Sequence, residues 1–183
     1  MAGSVGFAGA GESAGGGGVR VEDLAGRAVD PLACGEAKAV VFIFASVECP
    51  VSQRYAPEYR RLEAEFIVNK ILFRLVFPNR DETGKAIRAH LKEYDLPLVA
   101  WRDPRHELVK RAGVSITPEA AVYVAGSGFV YHGRIDNRVA NLGVERPEAT
   151  EHDLEAVLKD VAGGSKVIHM SLPAKGCSIP PLP

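Results

Sequence analysis

The sequence is 183 residues long, 46% hydrophobic and 25% charged, with a formal charge of -1 at pH 7. That length fits one domain with a real buried core. The near-neutral balance gives no basis for nucleic acid or an anionic membrane as main partner, and no apolar run reaches the roughly 18 residues of a membrane span.

Residues 1–18 hold eight of the nineteen glycines and almost no large apolar side chains, so burial cannot offset their ordering entropy and a disordered tail is expected. They lack the basic start and apolar middle of a secretory signal. The expectation is a soluble chain, cytoplasmic as written unless an export leader has been removed. Residues 19–28 read as an edge strand and turn broken at Gly26, followed by a loop from Asp30 and Pro31 that carries Cys34. Residues 37–46 are β-branched and aromatic without polar alternation, the pattern of a strand buried on both faces.

A helix is expected from Pro50 to Val68, with proline well placed in its first turn. Pro57, inside that span, predicts a kink costing about 3 kcal/mol. Residues 71–80 form a second inner strand. Thr83 then caps a helix with Ile87, Leu91 and Tyr94 on its buried stripe, ended by Pro97. A third strand runs to Asp103, and a brief helix with Leu108 and Val109 inward stops at Gly113. Residues 116–136 read as two strands joined at Gly126-Ser127-Gly128. Thr150 is expected to cap a last helix bearing Leu154, Val157, Leu158 and Val161 on one face. The proline-rich end of the chain should be extended. The alternation predicts an α/β fold, a mixed β-sheet with helices on both faces. One domain over residues 19–164 would be followed by an extended tail over 165–183.

Three cysteines, Cys34, Cys49 and Cys177, are too few for a disulfide framework and have neither CxxC nor zinc-site spacing. Cys49 stands where a buried strand hands over to a helix, and the amides and dipole of a helix start stabilise a thiolate. Glu48 beside it opposes that effect. The five histidines are scattered, none paired at metal-ligand spacing, so no metal is expected.

Cys49 at the junction, Pro57 eight residues on, Thr117-Pro118 before an inner hairpin strand and a final amphipathic helix together resemble the thioredoxin-like fold. In that family the nucleophilic cysteine occupies this junction and the Thr-Pro bond beside it is cis. The stretches ECPVSQRYAPE and ITPEAAVYVAGSGFVYHGRIDNR, the added strand and helix ending near Asp103, and the late Gly-Cys resemble the redoxin branch (alkyl hydroperoxide reductase and thiol-specific antioxidant). The resemblance spans about residues 19–179. It implies a thiol-dependent oxidoreductase or peroxidase-like antioxidant, without a cofactor, acting with a thiol reductant, a disulfide-containing protein or a small peroxide.

Two departures limit that reading. Ser52 stands where thioredoxins carry their second cysteine. Phe42 stands where peroxiredoxins carry a proline, although Ser46 supplies their hydroxyl three residues before the thiol. Arg134 is the arginine the resemblance offers for substrate. Cys49 would attack a disulfide, or a peroxide to give a sulfenic acid. Either route needs a resolving thiol. Cys177 is the better placed, as an extended tail could fold back over the site, whereas Cys34 precedes the inner strand and belongs at its other end. The rival reading is a peptide-binding module that uses the groove beside Thr117-Pro118 without catalysis. Copper binding through two cysteines and a histidine ranks last, since the sequence puts no second thiol near Cys49.

Overall fold

The computed structural model describes residues 18–141 and 143–183. The glycine-rich tail expected over residues 1–18 lies, except for Gly18, outside them. Two short strands, β1 (Val21–Asp23) and β2 (Ala28–Val29), open the described chain and pair through the turn at Gly26, whose φ of 84° is one a glycine adopts freely. The apolar run becomes β3 (Ala39–Phe44), in which no residue is more than 3% exposed. Helices α1 (Pro50–Arg54) and α2 (Ala56–Phe66) and a 3-10 turn (Ile67–Asn69) lead to β4 (Ile71–Phe77). Then come α3 (Gly84–Glu93), β5 (Val99–Arg102), α4 (Glu107–Ala112) and the short β6 (Ile116–Thr117). The hairpin is β7 (Glu119–Val124) and β8 (Gly128–Gly133), followed by a small ribbon of β9 (Val139–Asn141) and β10 (Val144–Glu145). Helix α5 (Asp153–Gly163) precedes two tail strands, β11 (Met170–Leu172) and β12 (Cys177–Ser178).

The main sheet has the order β11-β8-β7-β3-β4-β5-β1-β2. Strands β3, β4 and β5 run parallel, and β7 lies antiparallel against the other side of β3. This is the mixed α/β sheet that the alternation predicts. Side chains of a strand alternate between faces. Val41 and Ile43 therefore pack with Tyr59 and Leu62 of α2 and Leu154 and Leu158 of α5. Val40, Phe42 and Phe44 pack on the opposite face with Leu108, Val109 and Ala112 of α4. Truncating one of these large side chains to alanine costs about 2–5 kcal/mol.

Two expectations need correcting. The helix after Cys49 is not one kinked rod. It breaks at Tyr55, and Pro57 falls in the first turn of α2, where a missing N–H leaves no carbonyl unpaired. The chain avoids the interior-proline penalty by restarting the helix. Thr150 does not cap α5, which begins at Asp153 behind His152. Thr150 instead bonds Asn137, accepting from its Nδ2 at 2.8 Å and donating its amide to its Oδ1 at 2.9 Å. Thr83 does cap α3, accepting the Ala86 amide at 3.2 Å.

The extended tail is hydrogen-bonded in two places. β11 adds in parallel to β8, and β12 pairs antiparallel with β6, Cys177 opposite Thr117 and Ser178 opposite Ile116. Among the described residues no helix is long and apolar enough to cross a membrane.

Candidate active site

Cys49 is the residue before α1, in extended conformation, with Pro50 opening the helix. The turn that delivers it is tied from several sides. The Cys49 amide donates to the Ser46 carbonyl at 3.3 Å, and Gln53 Nε2 donates to the Val47 carbonyl at 2.8 Å. Glu82, from the loop after β4, reaches across so that its Oε1 accepts both the Ser46 hydroxyl at 2.6 Å and the Val47 amide at 2.8 Å. Its other oxygen is buried without a partner, and burial pushes the carboxyl above the usual range against those two hydrogen bonds. Arg102 fixes that loop by donating Nε to the Glu82 carbonyl at 2.8 Å. The Ser46 hydroxyl is thus committed to the turn, donating to Glu82 and accepting the Glu48 amide at 3.3 Å.

Thr117 and Pro118 close the site from the other side. Their peptide bond is cis, and the Cys49 thiol donates to the Thr117 carbonyl at 3.1 Å. The pairing of β12 with β6 sets Cys177 opposite Thr117, whose hydroxyl donates to the Cys177 carbonyl at 3.2 Å. Both thiols are free and line one cleft of about 170 Å³. Burial opposes ionisation of Cys49. The neighbouring donors, Cys177 first and then the amide and hydroxyl of Ser52, favour the anion by more than that and hold the thiol below the ordinary cysteine range. Cys177 is pushed up to about 11 by burial, by donating to Cys49 and by the charge there. Ser52, in the place of a second motif cysteine, is buried and favours the Cys49 anion.

The remaining predicted residues lie elsewhere. Arg134 does not line the Cys49 cleft; it ion-pairs with Asp153 at 2.7 Å and with Glu151, and borders a separate pocket that Pro118 also lines. That pocket also holds Tyr55, whose hydroxyl donates to buried Asp136 at 2.5 Å. Cys34 sits before β3, at the end of the strand opposite Cys49, with its thiol donating to the Leu32 carbonyl at 3.4 Å. Cys177 lines the cleft together with Cys49, and among the described residues no histidine does. Glu58, His152 and Glu155 gather their ligand atoms within 4.8 Å, but the Arg61 guanidinium already bridges the two carboxylates.

Glu82 and Gly176 are the site residues that sequence reasoning missed. Glu82 meets Ser46 across 36 positions of sequence, and no local pattern signals that contact. Gly176 stands in the Gly-Cys pair, and its role is visible only in the approach of β12 to β6.

No protein-family model matches the sequence, and neither does any curated protein. Solved structures do match. An uncharacterised conserved protein of Geobacillus kaustophilus superposes with a TM-score of 0.73 at 20% identity, covering 90% of this chain and 88% of that one. A secreted disulfide oxidoreductase of Mycobacterium tuberculosis, homologous to E. coli DsbE, gives 0.54 at 18% identity, with 79% and 94% covered. The thioredoxin domain of a thiol-disulfide oxidoreductase of Bacteroides vulgatus gives 0.56 at 14% identity, with 78% and 92% covered. The chain has the thioredoxin-like fold.

Proposed function

We propose that the protein is a thiol-disulfide oxidoreductase with Cys49 as nucleophile and Cys177 as resolving thiol. The observation that carries this reading is the pairing of β12 with β6, which brings Cys177 to the residue whose carbonyl takes the Cys49 thiol. Two of the similar structures are disulfide oxidoreductases, which supports the same chemistry. The partners are a disulfide-containing protein and a thiol reductant.

The Cys49 thiolate attacks one sulfur of an external disulfide. A Cys49–substrate bond forms, the substrate S–S bond breaks, and the departing sulfur leaves as a thiolate that takes a proton. Cys177 then attacks the Cys49 sulfur, and its proton goes to the second substrate sulfur as that group leaves. A Cys49–Cys177 disulfide remains, and two electrons have passed to the substrate. Reduction by an external thiol reverses the change in the protein. The high pKa of Cys177 suits this order. Burial keeps it a thiol, but the hydrogen bond to Cys49 and the charge on Cys49 add to that only while Cys49 is a free thiolate. Both influences end when Cys49 becomes part of the mixed disulfide, the moment at which Cys177 must act.

A peroxide would use the same two sulfurs, with a sulfenic acid on Cys49 and loss of water on closure. The disulfide route is the better supported, since the similar structures of known activity are disulfide oxidoreductases.

Turnover of a disulfide-bonded protein with a thiol reductant tests the assignment. Cys49→Ser abolishes it, and Cys177→Ser accumulates substrate linked to Cys49. Turnover that survives Cys49→Ser contradicts the reading.

A further inference from the structure

We propose that Gly176 is the positioning residue of this site, letting β12 dock so closely that the tail both aligns Cys177 and covers Cys49. The alignment half rests on the reading of Cys49 and Cys177 as a reacting pair; the covering half does not.

Cys49 is 2% exposed, yet a nucleophile must meet an external sulfur. The tail contributes Cys177, Ser178, Ile179 and Pro180 to its cleft, facing Pro78, Asn79 and Thr117 of the body. The tail residues are held by few bonds, the two-residue pairing of β12 with β6, the Thr117 hydroxyl on the Cys177 carbonyl, and the Ile179 amide on the Ser115 carbonyl at 2.9 Å. Pro180, Pro181 and Pro183 lack an N–H, so they donate nothing that would extend the ladder. A segment anchored this lightly opens at a small fraction of the global unfolding free energy.

The docking depends on the absence of one side chain. A Cβ at Gly176 would lie 2.1 Å from the Thr117 carbonyl oxygen, 2.8 Å from its carbonyl carbon and 3.1 Å from Ile116 Cγ2. The first two are backbone atoms of β6 and cannot swing aside. An alanine there therefore moves β12 away, while both reactive thiols remain in the chain. Opening admits a substrate sulfur to Cys49, and redocking returns Cys177 to resolve the mixed disulfide.

The test labels the reduced full-length chain with iodoacetamide and follows each cysteine by peptide mass. In Cys177→Ser the strand stays docked, and Cys49 is labelled no faster than in the unaltered protein. In Gly176→Ala, Cys49 labelling rises about tenfold or more, as expected of an overpacking clash against backbone. Closure of the Cys49–Cys177 disulfide by a mild oxidant slows in the same variant. Cys34, at the other end of β3, keeps its rate. An unchanged Cys49 rate in Gly176→Ala overturns the proposal. So does rapid labelling of Cys49 in Cys177→Ser, which makes the sulfur and not the strand the cover. A rise shared by Cys34 reports general loosening and also overturns it. If the cover opens as stated but the unaltered protein never forms a Cys49–Cys177 disulfide, the covering role stands and the exchange reading falls.

Discussion

Two thiols that share a cleft are driven apart in acidity by their surroundings. Burial opposes the Cys49 anion, but the donors beside it, Cys177 and then Ser52, favour it by more, and Cys177 is held protonated at neutral pH. A lowered pKa means that the thiolate is present at lower pH, so Cys49 ionises below the ordinary range as pH rises. Cys177→Ala removes the largest favourable contribution and moves that ionisation to higher pH. Cys177→Ser moves it less, since a hydroxyl still donates. Ultraviolet titration of the thiolate in a Cys34→Ser background measures both, and an ionisation that stays in place in Cys177→Ala contradicts the pairing. Cys49 itself was legible in the sequence, because a strand-to-helix junction is a local pattern. Glu82 was not, because its hold on Ser46 and Val47 exists only once the loop after β4 folds over the turn after β3.

Short elements place this site, and their ends are set by particular side chains. Helix α4 has His106 before it in left-handed conformation and no side-chain cap from that residue. Its first amides are taken by Asp103, which accepts from Glu107 at 2.9 Å and from Val109 at 2.8 Å. Asp103→Ala leaves both amides unpaired and costs about 1–2 kcal/mol, seen as a lower urea midpoint. A midpoint equal to that of the unaltered protein would mean that water replaces the carboxylate at no cost. Periodicity found the buried faces of α3, α4 and α5, since apolar spacing follows from helix geometry alone. It misjudged the break at Tyr55 and the start of α5. Those boundaries depend on where Pro57 is cheapest to place and on the competing claim of Asn137 for Thr150, neither of which a spacing rule contains.

At the scale of the molecule, the parallel core β3-β4-β5 and the antiparallel hairpin bring the Cys49 turn and the Thr117-Pro118 segment together at one end of the sheet. This topology was readable from the order of apolar runs and breakers. The destination of the tail was readable only as a possibility of reach. What fixes it is the register of β12 on β6 and the close approach at Gly176, a meeting of residues 60 positions apart. The account turns on whether the two sulfurs react with each other. Mild oxidation of the full chain, digestion without reduction and peptide mass mapping measure this most directly. The predicted result is a peptide carrying Cys49 joined to one carrying Cys177, with Cys34 free. A stable sulfenic acid on Cys49 with Cys177 unlinked, or a bond from either to Cys34, would contradict it.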